Sequence, residues 1–459
     1  MNKKNNPFRY FYWLFIEYSK KHLKLFLLSF LLSIITFFGI VSLSPYLINY
    51  ITTRRDIIGL VGNYDINSLP DIIVSQFSNR LVFINEKGDI VPILAESWEY
   101  LNNGKEYRFH IRKDLIWSNG SKFTARDLDY KFKDIETQIV DDYLIIFKLK
   151  AKLPVFPTYL TRPIIKKPLL GVAGLYRVER IKSQFGNVKE VYLTPQKTDL
   201  PILIYKIFDS ETKMINAYKL GEINQMIVMR KPIVDIFSSW NNTKIEKTVD
   251  YGSLLTLFIN QKNQFLQEKD VRHAIAMSIP AEKLQEQGEQ AVGPIPPISW
   301  AYNVNIKNLQ TNPDMSIKLL KKYQDASSSA TLNFVTYNDQ SDLAEQIKKS
   351  FDSIGLKTKI NIASFEDPSG FDLFLASWKV PYDPDQYFFW HSKQIFPNQF
   401  KGNITGFNSQ RVDRLLERGR DTMNIAERKS IYYDFQRTMM DEMPAIFLYY
   451  PYVYKIKRK

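Results

Sequence analysis

The side chains that most often carry out covalent chemistry are scarce in this chain of 459 residues. It has no cysteine, which excludes disulfides, thiolate metal sites, a cysteine nucleophile and a lipid-modified cysteine. The histidines show no HxxxH or HExxH spacing, so a metal site built on them would have to be assembled by the fold. They are His22, His110, His273 and His391. The sequence also lacks a GxSxG motif, and we predict that the protein is not an enzyme and uses no cofactor.

Residues 117–132, WSNGSKFTARDLDYKF, combine aromatic, turn-forming and charged residues. The Gly120 that follows Asn119 is typical of a turn with positive φ. Thr124, followed three residues later by Asp127, resembles a capping box and predicts the start of a helix. The apolar residues on one face of that helix would be Leu128, Phe132 and Ile135. No nucleophile lies beside a base, so we interpret the segment as strand–turn–helix scaffolding.

The bulk composition is that of a globular protein with a basic surface. Hydrophobic residues make up 45% of the chain, charged residues 24% and aromatic residues 14%. The length exceeds what one compact core usually holds, so we expect at least two lobes. The first 24 residues carry five of the 14 net positive charges, which leaves +9 for the rest. That remainder has no clear basic block, and we expect no nucleic-acid partner.

An uncharged stretch of 19 residues runs from Leu25 to Leu43. At about 1.5 Å per residue, a helix of this length nearly spans a hydrocarbon core of about 30 Å. Basic residues cluster before it, which predicts a cytoplasmic N-terminus and an extracytoplasmic bulk. A cleaved signal peptide is the alternative, but its apolar region is usually only about 7–15 residues long. The small-x-small site at Ser42-Leu43-Ser44 is followed by Pro45, which disfavours cleavage.

The segment is therefore predicted to be an uncleaved signal-anchor of a single-pass protein of the cell membrane. Residues 1–24 would form a cytoplasmic basic tail and residues 25–45 the transmembrane segment. The later apolar run IFLYYPYV is too short to span a bilayer and is interpreted as a buried strand.

Helical and strand patterns alternate over the rest of the chain, which favours an α/β fold. One helix is predicted from Ser210 to Leu220, and Gly221 would end it. Asp270 is predicted to cap a further helix, DVRHAIAMSI. The remaining predictions are a helix opened by Asn312-Pro313, a helix–strand unit from Ser341 to Ile362, a buried strand ending at Trp378, and a last helix running from Asn424 to about Met440.

Residues 93–132, ILAESWEYLNNGKEYRFHIRKDLIWSNGSKFTARDLDYKF, closely resemble the signature of the extracellular solute-binding proteins of family 5. These are peptide- and nickel-binding receptors of ABC importers, related to oligopeptide- and dipeptide-binding proteins. Further matching segments follow in the family order. They are LGEIN, INQKNQFLQEKDVRHAIAMSI, GPIPPISWAYN, FDLFLASW…DPDQYF and NITGFNSQRVDRLLERGRDTMN with the residues after it. The resemblance covers residues 55–455.

The resemblance implies an α/β, two-lobed, periplasmic-binding-protein-like (type II) fold with an extra strand-rich insert domain. We expect one transmembrane helix in front of it. The first lobe would comprise residues 53–251 and 436–459, with the insert at about residues 70–165. The second lobe would comprise residues 252–435. Hinge strands are expected near residues 248–252 and 436–441, and the lobes would close over the ligand.

The resemblance also implies a function and a site. The protein would capture peptides or similar small solutes in the cleft between the lobes and deliver them to an ABC permease. We expect it to act as a monomer. The ligand contacts implied by the resemblance are Trp378, Tyr382, Asp383, Tyr251, Asn63 and Tyr64, and no metal site is expected.

The segment after Trp378 departs from the family pattern. In many relatives an Asp three residues after this Trp pairs with the free α-amine of the peptide, but here that position is Pro381. A buried ammonium without a carboxylate partner is unfavourable. Either Asp383 takes over the role through a shift in register, or the ligand is not a peptide with a free amine. A third possibility is that Asp383 only forms a turn before Pro384.

One alternative function stays open at this point. A protein derived from such a receptor could serve as a sensor or envelope assembly protein without delivering cargo. Its basic exterior would then bind polyanions or partner proteins. Steeply salt-dependent binding would be the sign of that function.

Overall fold

The computed structural model describes residues 7–52, 54–85, 87–280, 284–323, 331–364, 370–396 and 399–459. Lys3 and Lys4, two basic residues of the predicted cytoplasmic tail, lie outside the described residues. The described chain begins with two helices, α1 (Pro7–Lys21) and α2 (Leu23–Thr52). Within α2, the stretch Leu23–Ser42 is long and apolar enough to cross a membrane, and none of it is buried against the rest of the protein.

The remaining elements mix helices and strands. The helices are α3 (Asp71–Phe77), α4 (Glu211–Leu220), α5 (Lys231–Ser238), α6 (Gln264–Gln267), α7 (Lys269–Ser278), α8 (Pro313–Lys321), α9 (Ser341–Ser353), α10 (Tyr387–Trp390), α11 (Gln410–Asp421) and α12 (Ile425–Glu442). The early strands are β1 (Arg55–Val61), β2 (Val82–Ile84), β3 (Ile90–Pro92), β4 (Ala95–Leu101), β5 (Glu106–Ile111), β6 (Ile135–Asp141), β7 (Leu144–Leu149), β8 (Ile165–Lys166) and β9 (Leu170–Gly171). The later strands are β10 (Tyr176–Gln184), β11 (Asn187–Pro195), β12 (Ile202–Phe208), β13 (Gln225–Val228), β14 (Thr243–Val249), β15 (Ser253–Ile259), β16 (Gly288–Gln290), β17 (Leu332–Thr336), β18 (Thr358–Ile362), β19 (Leu373–Lys379) and β20 (Ala445–Arg458).

A twelve-stranded sheet runs through the described part of the chain. Ten strands follow the order β10-β11-β12-β1-β13-β20-β15-β19-β17-β18, and β14 and β16 also pair with β20. Strands β1 and β12 are parallel, as are β17, β18 and β19, while β20 is antiparallel to its neighbours. This mixture agrees with the α/β fold predicted from the sequence.

Strand β20 connects the two halves of the molecule. Its first part pairs with β15 and β16, and its second part, from Tyr452 on, pairs with β13 and β14. Residues 250–252 make the other connection, between β14 and β15. The hinge strand expected at residues 436–441 is wrong, because these residues lie inside α12, and Phe435 and Met439 of that helix are buried in the second half. The remaining domain boundaries stay predictions.

Separate hydrophobic cores fill the halves and the insert. Strands β1 and β10 to β14 pack with α4 and α5 around two clusters in the first half. The second half has a cluster on each face of β15 and β19. A third region, from Leu81 to Val172, has its own aromatic core built on the sheet β4-β5-β7-β6.

Residues 117–132 contribute to the core of the insert and not to a reactive site. Trp117 and Phe123 are buried and pack edge to face, with ring centroids 5.2 Å apart. The Thr124–Asp127 capping box is present. The helix predicted after it is wrong, because only a 3₁₀ turn, Ala125–Asp127, forms. Burial alternates along this segment, with Leu128 and Tyr130 buried and Asp129 and Lys131 exposed, and this period of two fits an extended chain.

Most of the predicted helix ends are confirmed. Ser210 caps α4, and Gly221 ends it at φ 81°, in the left-handed conformation that glycine adopts without strain. The side chains of Asn312 and Asn424 cap α8 and α12. The cap at Asp270 is wrong: α7 begins at Lys269, which places Asp270 inside its first turn.

The buried hydrogen bonds of Arg272 explain why the motif around α7 contains an arginine. Arg272 is 2% exposed, and its guanidinium donates hydrogen bonds to four backbone carbonyls, two at the C-terminal end of α6 and two at that of α12. The accepting residues are Leu266, Gln267, Glu442 and Met443. Helix ends leave such carbonyls without partners inside the helix. A planar group with five donors spread over three nitrogens satisfies them together, whereas the three donors of an ammonium share one nitrogen.

The Arg272→Lys variant should therefore unfold more easily than the parent. We expect a loss of at least about 2 kcal/mol in the free energy of unfolding, because buried carbonyls lose their donors. The measurement is urea denaturation of the full chain in detergent micelles, followed by circular dichroism. Arg411→Lys on the exposed side of α11 is the matched control and should leave the midpoint unchanged. Equal midpoints for the two variants would contradict the assigned role of Arg272.

Candidate solute-binding cleft

A cavity of about 160 Å³ lies where the insert, the connection between the halves and the second half meet. Its wall is formed by Ile84, Asn85, Tyr251, Gly252, Pro296, Ile298, Ser299, Trp300, Val380, Pro381 and Tyr382. Sites for drug-sized ligands usually measure about 300–1,000 Å³. In this conformation the cavity is therefore large enough for one small group of a ligand. A whole peptide could enter only if the halves moved apart.

The wall is made of chain ends and loops. Strand β2 ends at Ile84, residues 250–252 join β14 to β15, and β19 ends just before Val380. The segment with Pro296 and Trp300 is the proline-rich loop seen in the sequence, which lacks regular structure. Loops held by rigid strands are where binding residues usually lie.

Gly88 and Trp300 bring the two sides of the cleft into contact. Gly88 lies in the turn between β2 and β3 at φ 85°, and Trp300 belongs to the second half. A Cβ at position 88 would overlap the indole ring of Trp300. The indole N–H of Trp300 is buried and has no hydrogen-bond partner among the described residues. The closeness of this contact depends on glycine.

Charged and aromatic side chains also meet across the cleft. Lys152 of the insert lies 3.6 Å from the carboxylate of Asp421, and Arg230 lies 3.9 Å from that of Asp342. Burial raises the pKa of Tyr159, and the nearby Asp385 carboxylate of the second half adds to the rise. The structure is therefore a conformation in which the halves are closed onto each other.

Asp383 forms a buried ion pair with Arg428. The Arg428 guanidinium donates to both carboxylate oxygens, at 2.8 and 2.5 Å, and the two side chains are each 8% exposed. Burial by itself would lower the pKa of Arg428, but the Asp383 carboxylate outweighs it and the pKa is raised. Asp383 also accepts from the backbone N–H of Asp385, as a turn-forming aspartate does.

The cavity brings together two of the six predicted contacts, Tyr251 and Tyr382. Trp378, the last residue but one of β19, lies outside the cavity wall, and its indole N–H donates to the Thr256 hydroxyl at 3.0 Å. Asn63 is exposed just after β1, and Tyr64 beside it packs on the core of the first half. Whether any of the six contacts a solute stays a prediction.

Several residues at or beside the cleft could not be identified from the sequence. Trp300 and Pro296 belong to the segment GPIPPISWAYN, whose sequence indicates a loop but no role for either side chain. Glu289 of β16 accepts a hydrogen bond from the Tyr251 hydroxyl at 2.9 Å. Burial raises the pKa of Tyr251 to about 12, and the hydrogen bond to Glu289 contributes to the rise. No local sequence motif identifies Glu289 as a residue beside the cleft, because its position depends on the pairing of β16 with β20.

Among the described residues, no group of three or more His, Asp or Glu side chains could hold a metal ion. The buried His391 contacts Glu417 at 3.2 Å and accepts from the backbone N–H of Lys393. Its two nitrogens are therefore occupied within the second half.

The family model for the middle part of the bacterial extracellular solute-binding proteins, family 5, matches residues 89–398, which is more than half of the chain. This chain belongs to that family. The members are solute-binding proteins and not enzymes. The resemblance found in the sequence is thereby confirmed, and the geometry described above belongs to a solute-binding protein of family 5.

Known family 5 proteins match over most of this chain. The oligopeptide-binding protein AppA of Bacillus subtilis (strain 168) is 24% identical over 466 residues, which cover 84% of this chain and 83% of AppA. The structure of AppA in complex with a nonapeptide has a TM-score of 0.70 at 21% identity, covering 89% of this chain and 95% of that one. NikZ from Campylobacter jejuni in complex with Ni(L-His) has a TM-score of 0.73 at 23% identity, covering 88% and 94%. The fold is the two-lobed periplasmic-binding-protein fold.

The buried ion pair between Asp383 and Arg428 leads to a prediction about the stability of this family 5 protein. Asp383→Asn should lower the free energy of unfolding by about 3–5 kcal/mol, because Arg428 is left buried without a counter-charge. The double variant Asp383→Leu/Arg428→Met should recover most of that loss. Chemical denaturation of the solute-free full chain measures both.

Asp114→Asn is the matched control, because Asp114 pairs with Arg112 on the surface. That change should shift the free energy of unfolding by no more than about 1 kcal/mol. If Asp383→Asn were as stable as the parent and lost solute binding, Asp383 would belong to the ligand site and not to the framework.

Proposed function

We propose that this family 5 protein is a membrane-anchored extracytoplasmic receptor that captures peptides or similar small solutes and delivers them to an ABC importer. The observation that carries the proposal is the cavity whose wall takes residues from the insert, from the connection between the halves and from the second half. A ligand held there contacts all three parts at once, so its binding favours the closed conformation.

Peptides are the solute class that the relatives favour. AppA is named an oligopeptide-binding protein, and its structure contains a nonapeptide. An extended peptide offers backbone N–H and C=O groups that a receptor can bind whatever its side chains are. The indole N–H of Trp300, which has no partner within the described part of the chain, is a donor at the cavity wall suited to a peptide carbonyl.

Anchoring by α2 is the second part of the proposal. Its stretch Leu23–Ser42 is apolar and exposed, and a lipid bilayer would cover that surface. Basic residues precede it, including Lys20 and Lys21, and Lys24 lies at its N-terminal end, which favours a cytoplasmic N-terminus. A signal sequence passes the same test of length and composition, so processing of the chain decides between the two.

Peptide binding is tested with the full chain in detergent micelles and a pool of random tripeptides. We expect native mass spectrometry to detect bound tripeptides, and titration calorimetry to give an affinity that changes little between 50 and 300 mM salt, because main-chain hydrogen bonds provide most of it. Polyphosphate serves as the competing probe. Steeply salt-dependent polyphosphate binding without tripeptide binding would favour the sensor or assembly function instead.

The variants Gly88→Ala and Gly120→Ala test whether the tripeptides bind in the cleft. Both glycines have a left-handed φ, 85° and 84°, so both variants carry the same backbone strain. A methyl group at position 88 overlaps Trp300, while position 120 has no atoms near it. We expect Gly88→Ala alone to weaken tripeptide binding, by at least about tenfold, since the close contact across the cleft is lost.

Anchoring is tested by the mass and location of the chain expressed in a bacterium. The full-length mass should be recovered from membranes after an alkaline carbonate wash, because an inserted helix is not removed by high pH. As a control, a variant with Leu27, Leu31 and Ile35 changed to Lys should leave the membrane pellet. A chain that begins after Ser44 and is released from the membrane would show a cleaved signal sequence.

A further inference from the structure

Glu289 is a carboxylate without a cationic partner beside the cleft. Among the described residues it accepts one hydrogen bond, from the Tyr251 hydroxyl, and forms no ion pair. It is half-buried in β16, opposite Tyr450 of β20. Asp383, a second acid at this end of the molecule, is neutralised by Arg428. Among the residues that the structure describes, Glu289 therefore carries a negative charge without a paired cation.

Three tyrosines surround this carboxylate. The rings of Tyr251 and Tyr450 lie 5.4 Å apart at an angle of 59°. Tyr302 packs against the same cluster, and burial together with the Glu289 charge raises its pKa. Directly opposed residues in antiparallel strands point to the same face, so Tyr450 and Glu289 share one side of the sheet.

The Tyr450 hydroxyl is an unsatisfied polar group in this cluster. Tyr450 is 0% exposed, and its hydroxyl has no hydrogen-bond partner among the described residues. Burial raises its pKa well above the ordinary value, with smaller contributions from Tyr302 and Glu289. Buried polar groups are nearly always hydrogen bonded, so an orphan beside an unpaired carboxylate indicates that a partner is missing.

A carboxylate enclosed by aromatic rings is the chemistry that recognises a positively charged nitrogen. The carboxylate supplies an opposite charge, and the faces of the rings attract the cation through their quadrupoles. A neutral tyrosine hydroxyl accepts a hydrogen bond from an ammonium group. An anion would be repelled by Glu289, and a purely apolar group would leave both the carboxylate and the hydroxyl without partners.

We infer that Glu289, with Tyr251, Tyr302 and Tyr450, binds a positively charged nitrogen of the solute. The inference rests on the proposed function, because it names where a captured solute places its cationic group. That group is an ammonium, provided by the α-amine of a peptide or by a basic side chain. Glu289 thus supplies the negative charge that Pro381 and the paired Asp383 do not.

The position of the cluster connects it to the cavity and to the hinge. Tyr251 lines the cavity with its ring and reaches Glu289 with its hydroxyl. It lies in residues 250–252, one of the two connections between the halves, and Tyr450 lies in the other, at the centre of β20. A cation drawn to Glu289 from the cavity therefore acts on both connections at once.

The test compares Glu289→Gln with the parent, using the full chain in detergent micelles and three defined tripeptide pools. The first has free N-termini and no Lys or Arg. The second is N-acetylated and contains Lys. The third is N-acetylated and has no Lys or Arg. We expect Glu289→Gln to weaken binding of the first or the second pool by at least about tenfold and to leave the third within about twofold.

The pools identify the source of the charge. An effect confined to the first pool assigns the α-amine, and an effect confined to the second assigns a basic side chain. Glu345→Gln on the exposed face of α9 is the matched control, with the same loss of charge and no expected change. Tyr302→Leu keeps Glu289 and removes one aromatic wall. It should weaken the same pool selectively, and it provides a second reading if Glu289→Gln folds poorly.

Two negative results are distinguishable. If the parent binds the pools and neither Glu289→Gln nor Tyr302→Leu changes the preference among them, the inference is overturned and the proposed function stands. If the parent binds none of the pools, the proposed function fails and the inference falls with it.

Discussion

The two halves of this protein share the backbone hydrogen bonds of one strand. Strand β20 is paired with β15 and β16 in the second half and with β13 and β14 in the first. Neither sheet is complete without it. Because paired strands resist bending, we expect relative motion of the halves to concentrate at residues 250–252 and around Tyr450, where the pairing partners of β20 change. The cavity lies beside this seam, so a solute bound in it would contact residues that we expect to bend when the cleft closes.

Buried charged groups connect several elements of the second half. Arg428 binds Asp383 on both oxygens, and Arg272 closes the carbonyl ends of α6 and α12. Each guanidinium is satisfied by several acceptors, which offsets the loss of its hydration. A carboxylate engaged in this way could bind a solute only by giving up part of its pairing with Arg428. The second half contacts the insert at Gly88, through Trp300.

Regular elements were predictable where local chemistry determined them, as at the caps Ser210, Asn312 and Asn424 and in the helix–strand unit after Ser341. The prediction after Thr124 was wrong because apolar residues at positions 128 and 132 satisfy both a helical and a strand period, and packing in the insert selects the second. The site was less predictable. Glu289 and Tyr450 are 161 residues apart and meet only because β16 pairs with β20. A long-range partner such as Arg428 for Asp383 leaves no trace in the local sequence.

The place of β20 in the chain has a consequence for biogenesis. It follows every other described element along the chain. Before β20 is synthesised, β15 in one half and β14 in the other each lack a strand to pair with, and the backbone groups on that side can bond only to water. Domains usually fold in turn as they are translated. Here both lobes require β20, so we expect neither lobe to reach its final form until this strand has been made.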